Sequence, residues 1–155
     1  MNSPFNDRDL RDLQQMAGPQ YAGFWIRVAA SIIDSLLIAC LTTPLAYLFY
    51  GAEYWSNDDL AAGPVDVLLT WVLPAVAVVL FWLYRQATPG KMLFGLRVVD
   101  ARSGATLGVG QAIGRYLAYF VATIPLLLGL IWVAFDGRKQ GWHDKLAGTV
   151  VVKKD

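Results

Sequence analysis

The chain has 155 residues, 56% of them hydrophobic and 16% charged, with a formal net charge of +1. That balance, with its positive mean hydropathy, lies outside the usual soluble range, and the small net charge gives no basis for nucleic-acid binding. One cysteine, Cys40, and one histidine, His143, supply neither an internal disulfide nor the ligand set of a zinc site, so no metal or cofactor is expected.

Residues 1–20 are polar, mixing Asp7, Asp9 and Asp12 with Arg8 and Arg11. They lack the apolar stretch and cleavage site of a secretory signal, so a cleaved leader is not expected. Residues 21–155 read as one membrane domain. Phe24 to Tyr50 is apolar except for Arg27 and Asp34 among charged residues, and roughly 20 such residues cross a bilayer. Aromatic residues flank it, Phe24 and Trp25 at one end and Tyr47, Phe49, Tyr50, Tyr54 and Trp55 at the other, as in the belts at membrane interfaces. The connection 51–63 carries Glu53, Asp58 and Asp59 but no Lys or Arg, which places it outside the cytoplasm.

A second span is expected over 64–84, opened by Pro64 with Asp66 in its first turn and kinked by Pro74. Trp82 and Tyr84 read as interfacial anchors, and Arg85 and Lys91 mark the cytoplasmic exit. Residues 95–107 read as a strand through Val98 and Val99, a turn at Asp100 to Gly104, and a short return strand at Thr106 and Leu107. A further strand over 149–152 would pair with Val98 and Val99. Residues 110–135 are apolar again, with Arg115 near the start and Pro125 and Gly129 inside. Basic residues in both 85–115 and 138–154 should share the cytoplasmic side, so the third segment is expected to break near Pro125 and re-enter. Gly110, Gly114, Ala118 and Ala122 recur every fourth residue, a small-residue face for helix packing within the chain or between copies.

Chemistry concentrates in and beside the first helix. Arg27 and Asp34 are seven residues apart, hence about 20° apart around a helix and roughly 10 Å along it. Ser31, Ile38, Leu41 and Leu45 extend that stripe, which should face the bundle interior. Asp34 falls near mid-bilayer, where a lone aspartate costs on the order of 2.5–3.5 kcal/mol on insertion scales, so it must be paired, protonated or wet. Two readings stay open there: an ion or proton site, and a hydrogen-bonding strut between helices. In the tail, Arg138, Lys139, His143, Asp144 and Lys145 surround Trp142. They form a basic face at anionic headgroups, or else Asp144 and His143 fold back onto Arg27 or Arg115, where His143 could titrate near neutrality.

Neither glycine-rich stretch binds nucleotide. Gly108, Gly110 and Gly114 miss the G-x-G-x-x-G spacing, and Gly90-Lys91 runs into Met92 where a P-loop needs Ser or Thr. No Ser, His and Asp arrangement with an oxyanion-hole context is legible, so no enzyme is expected.

From about Gly23 to Val152 the chain resembles the RDD family of small membrane proteins, named for one arginine and two aspartates. The residues that carry the resemblance are Ala22-Gly23-Phe24-Trp25-Ile26-Arg27 with Asp34, then Thr88-Pro89-Gly90-Lys91, Gly95-Leu96-Arg97-Val98-Val99-Asp100, Arg115, and Trp142-His143-Asp144-Lys145-Leu146-Ala147-Gly148. It implies a buried charge set of Arg27, Asp34 and Asp144, with Ser31, Lys91, Arg115 and His143 as supporting candidates. Cation or proton transport and assembly roles are the activities it suggests. The expected architecture is an all-α membrane protein of the bacterial inner membrane with two full transmembrane helices, a broken, re-entrant third segment and a small cytoplasmic β element. Both termini should be cytoplasmic. The expected function is transporter-like ion or proton handling, with a non-enzymatic accessory or assembly subunit as the alternative. Expected partners are the bilayer with its anionic headgroups and either a second copy or another membrane protein.

Overall fold

A computed structural model describes residues 18–56, 62–125 and 127–154. Helix α1 (Phe24–Tyr50) begins after Gly23 and stops where Gly51 takes a φ of +69°, its N–H donating to Tyr47 O, a left-handed exit that glycine makes without a Cβ penalty. A 3₁₀ turn (Gly51–Ser56) follows. Asp58 and Asp59 of the acidic connection, like most of the polar N-terminal segment, lie outside the described residues.

Pro64 opens α2 (Pro64–Val67), which runs through a π-helical turn (Leu68–Val72) into α3 (Leu73–Arg85). The wide turn sits directly before Pro74. A proline has no N–H to donate to the carbonyl four residues back and its ring crowds that carbonyl, so a locally wider winding relieves both problems. Phe24–Tyr50 and the helical stretch Pro64–Leu93 are each long and apolar enough to cross a membrane. Ile32, Leu36, Leu41, Leu68, Val76 and Leu80 stand exposed along them, a surface that an apolar solvent has to cover. At the far end Asp66 accepts from Tyr54 Oη at 2.8 Å, Thr70 Oγ1 at 2.9 Å and the Ala62 N–H at 3.0 Å. Tyr50 Oη in turn accepts from the Asp66 N–H, so the first helical turn is tied to the end of α1.

After the short α4 (Pro89–Leu93), β1 (Leu96–Asp100) pairs antiparallel with β2 (Thr149–Lys153), Val98 opposite Val151 and Val99 opposite Val150. The return strand expected at Thr106 and Leu107 does not form. Asp100 instead closes the turn on itself, its Oδ1 accepting from the N–H groups of Arg102 and Ser103, and Leu107 is drawn into the core. An isolated bridge from Tyr21 to Val152 covers the other side of β2.

Helix α5 (Val109–Thr123) is followed by α6 (Leu128–Ile131), a 3₁₀ turn (Trp132–Ala134) and α7 (Trp142–Leu146). The arms on either side of Pro125 are bent by 113°. Gly129 permits the fold-back, because a Cβ there would lie 2.7 Å from Ala122 Cα. The core gathers Ala22, Trp82, Leu96, Val98, Leu107, Ala112 and Val151. Trp82 is therefore a core residue, 1% exposed, rather than an interfacial anchor; Tyr84, 80% exposed, is free to be one.

The small-residue stripe divides. Ala118 and Ala122 are buried, whereas a Cβ at Gly110 or Gly114 would meet nothing within 4 Å. Each four-residue step advances about 40° around a helix with 3.6 residues per turn, so three steps rotate the stripe by about 120° and off the packed face. Gly129→Val should therefore lower thermal stability in detergent sharply, by about 2–3 kcal/mol through overpacking. Gly114→Ala should raise it by about 0.5–1 kcal/mol, the ordinary helix gain. Circular dichroism melts decide both, and a destabilised Gly114→Ala would mean that this face is packed within the chain.

Candidate functional site

The site forms where α1, α5 and α7 meet beside the sheet. Asp144 is fully buried, in the first turn of α7. Its Oδ2 accepts from Arg27 Nη1 at 2.6 Å and from the Gly141 N–H at 3.0 Å, while Oδ1 pairs with Arg115 Nη1. Arg27 spends its other donors on backbone: Nε on Ala22 O at 3.0 Å and Nη2 on Lys139 O at 2.5 Å. Arg115, also fully buried, donates to Thr149 Oγ1 from β2. Its Nε and Nη2 find no hydrogen-bond acceptor among the described residues. The guanidinium lies instead over the rings of Trp82, at 5.2 Å, and Tyr119, at 5.8 Å, where the negative π-faces attract it.

His143 stacks on Tyr119 with ring centroids 4.0 Å apart, and Tyr119 stacks on Trp82. Its Nε2 lies 3.5 Å from Asp144 Oδ1. Burial pushes the imidazole down to about 3, and although Asp144 opposes the shift, Arg115, Arg27 and Lys91 reinforce it. Titration near neutrality is thereby corrected: His143 stays neutral because burial disfavours its charged form, and a proton there would also join three nearby cations. For Asp144, burial acts to raise the pKa, but the Arg115 and Arg27 charges and the Gly141 N–H outweigh it and hold the carboxyl well below the ordinary range.

Asp34 does not join this cluster. It accepts from Thr88 Oγ1 at 2.5 Å and from the Gly90 N–H at 2.6 Å, at the start of α4 and beyond the end of α3. Asp34 is therefore paired through hydrogen bonds, one of the states expected for it, with partners from the C-terminal part of the helical stretch Pro64–Leu93. Gly90 is needed for the contact, because a Cβ there would sit 2.1 Å from Ala30 O and 2.9 Å from Asp34 Cγ. Lys91 is 5% exposed and lies 3.4 Å through Nζ from Thr88 Oγ1, and it forms no ion pair among the described residues. Ser31 and Lys91 line two cavities. The first, of about 510 Å³, lies between α1 and the α5–α7 region and is also lined by Arg27, Arg115 and His143. The second, of about 360 Å³, lies between α1, α3 and α5 and also touches Asp34, Ile38 and Leu41. The α1 stripe thus faces two cavities rather than a packed interior, and Leu41 is largely exposed.

Arg27, Arg115, His143 and Asp144 converge, while Asp34 and Lys91 form a neighbouring group joined through Thr88. The basic tail splits between buried Asp144 and His143 and exposed Arg138, Lys145, Lys153 and Lys154. Sequence reading missed Thr88 and Gly90 as the partners of Asp34, although Thr before Pro is a helix-start signal that advertises free N–H groups. It also missed the Asp66 network and the stack of Trp82, Tyr119 and His143. Among the described residues no group of three His, Cys, Asp or Glu side chains could hold a metal ion.

The model of the RDD family matches residues 21–148. The chain is similar to the uncharacterized protein YxaI of Bacillus subtilis, 32% identical over 149 residues that cover 86% of this chain and 97% of that protein. It is 29% identical to the uncharacterized membrane protein YteJ of the same organism, over 98% of this chain and 96% of the relative. A proline-rich antigen homolog of Mycobacterium tuberculosis is 32% identical over 90% of this chain and 66% of its own length. No solved structure matches.

Removing one member of the buried set strands the others, so Asp144→Leu should cost about 3–5 kcal/mol. The depressed His143 sets a pH dependence. Its unfolded form takes up a proton below the ordinary 6.5, whereas the folded form resists down to about 3. Stability is therefore full above 6.5 and declines as pH falls from there toward 3, by at most about 1.4 kcal/mol per pH unit. Asp144, also depressed, adds its own loss below the ordinary carboxylate value. Unfolding in detergent from about pH 8 to about pH 4 should show this decline in the wild type and a flatter upper limb in His143→Gln. A wild type with no decline in that window refutes the buried neutral histidine.

Proposed function

The chain belongs to the RDD family, and from that premise we propose that it is a non-enzymatic accessory module of a membrane assembly, its Arg/Asp set serving as a brace. One observation carries this reading. Both carboxylates of the set are engaged by fixed donors from distant parts of the chain, Asp34 by Thr88 and Gly90, Asp144 by Arg27, Arg115 and Gly141. A brace needs such engagement, while an exchanging ion site needs a carboxylate with lone pairs to spare.

The module is multi-pass in the bacterial inner membrane, with the sheet, the N-terminal segment and the tail on the cytoplasmic side. Support comes from the basic residues near the sheet, Arg97, Arg102, Arg138, Lys153 and Lys154, against their absence from 51–63. The segment α5–α6 enters and leaves by that same face, a reading supported by the pairing of β1 with β2 on either side of it and by the close approach of Gly129 to Ala122. Gly110 and Gly114 then offer a face to a second copy or another membrane protein.

Ion handling is the second reading, favoured by the cavity beside Asp34. Asp34→Asn separates the two. The amide keeps an acceptor for the Gly90 N–H, and the Thr88 hydroxyl can turn to match it, so a brace survives within about 1 kcal/mol while an ion site loses its charge. Purified wild type in proteoliposomes should show no sodium or proton flux above protein-free vesicles, and Asp34→Asn should melt close to it. In membranes, Gly114→Cys in a Cys40→Ser background should form a cross-linked adduct. Flux by the wild type that Asp34→Asn abolishes overturns the brace, and a Gly114→Cys chain that stays monomeric under cross-linking overturns the assembly role.

A further inference from the structure

The brace leaves charge over. Three cations, Arg27, Lys91 and Arg115, line the 510 Å³ cavity between α1 and the α5–α7 region, and among the described residues Asp144 is the one carboxylate paired with any of them. Asp34 is turned away, toward Thr88 and Gly90 on the side of the neighbouring cavity. His143, neutral at physiological pH, adds no charge. Counting both carboxylates still leaves 3 − 2 = +1 at this end of the cavity. Lys91 is the cation with a donor to give, since it makes no ion pair among the described residues and its Nζ has only the long contact to Thr88 Oγ1. Arg115 keeps two nitrogen donors without acceptors among the described residues.

Most of the remaining lining is apolar. Phe24, Val28, Ile32, Leu36, Leu130 and Val133 line it, and Ile32 and Leu36 are more than half exposed on α1. A cationic end continuous with an apolar trough on a membrane-spanning helix fits a molecule with an anionic head and a hydrocarbon tail. We propose that this cavity binds an anionic phospholipid, its phosphate against Lys91 within the positive field of Arg27, and one acyl chain along the α1 face through Val28, Ile32 and Leu36. Basic recesses between membrane helices hold anionic headgroups for the same electrostatic reason, and the low surrounding dielectric strengthens the attraction. Arg115 acts behind the contact, adding positive potential from a fixed position over Trp82 and Tyr119. Ser31 and Ser35, also in the lining, supply hydroxyls to the remaining phosphate oxygens or the glycerol esters.

This inference goes beyond the accessory reading and is independent of it, because its test reads lipid binding and neither flux nor cross-linking. Wild-type protein is reconstituted in vesicles of equal parts phosphatidylglycerol and phosphatidylethanolamine, extracted in mild detergent and analysed by native mass spectrometry. The expected result is one retained phosphatidylglycerol with at least a tenfold preference over phosphatidylethanolamine. Lys91→Gln should lose that preference. Ile32→Trp, at an exposed position, should fill the trough and displace the lipid while the head-end charges stay in place, which keeps the proposal testable should Lys91→Gln fail to fold. Retention of both lipids alike by the wild type, or undiminished phosphatidylglycerol in Ile32→Trp, overturns the proposal. Inorganic phosphate is the control for the headgroup alone: phosphate that displaces the lipid fully at millimolar concentration would show a bare anion site and overturn the assignment to a lipid.

Discussion

Two buried arginines meeting one buried aspartate is the constraint on which the rest of this structure depends. Taking three charges out of water carries a penalty of several kcal/mol per ion, and a single carboxylate cannot offset two guanidinium groups. The remainder is met by geometry: backbone carbonyls of Ala22 and Lys139 accept from Arg27, and the rings of Trp82 and Tyr119 receive Arg115. The partners come from several elements, so the cluster exists only when α1, α3, α5, α7 and the segment before α7 are all in place. A cluster of this kind punishes mispacking more than it rewards folding, because any arrangement that separates one member leaves the others buried and unpaired.

The same logic fixes α1 a second time. Asp34 lies on nearly the same side of the helix as Arg27 and about two turns further on, and it is held by Thr88 and Gly90. The helix is therefore clamped at two levels, to α7 and α5 at one and to α4 at the other, which sets its rotation as well as its position. The clamp at Asp34 demands a close backbone approach, and glycine at position 90 supplies the space by having no Cβ. Farther along, Asp66 with Tyr50, Tyr54 and Thr70 ties the end of α1 to the start of the second span. Between these polar anchors the two spans touch lipid-facing space with little burial, so polar contacts near their ends carry a large share of the specificity.

Much of this was legible in the sequence because hydrophobic length is a strong signal. Apolar runs placed α1 and the run from α2 to α3 within a residue of their observed ends, and the β-branched run over 149–152 found Val98 and Val99 as partners. The return strand at Thr106 and Leu107 was not legible, since Asp100 diverts the turn's N–H groups to its own side chain and only the folded geometry reveals that competition. The small-residue stripe misled for a geometric reason, as a four-residue period drifts around a helix, so Gly110 and Ala122 belong to different faces. Trp82 misled because interfacial and core tryptophans look alike in sequence; what draws it inward is Arg115, from a helix more than thirty residues later. The proximity of Asp144 to Arg27 and Arg115 was one of two readings of the tail, and spacing alone could not choose between them.

A brace alone does not require the particular charges found here. Well-packed apolar side chains of similar volume often replace buried ion sets without loss of stability, so the presence of three cations at one end of a cavity asks for something more than cohesion. Lys91 makes the point most clearly, for it belongs to neither clamp as an ion pair and yet is almost fully buried. Among the described residues, the counter-charge for Lys91 has to come from Asp34 through Thr88, or else from outside the chain. Thr88 can relay only partially, as its hydroxyl proton is already given to Asp34. The balance of charge therefore points outward, into the cavity, and makes the occupant of that space part of the electrostatics of the fold.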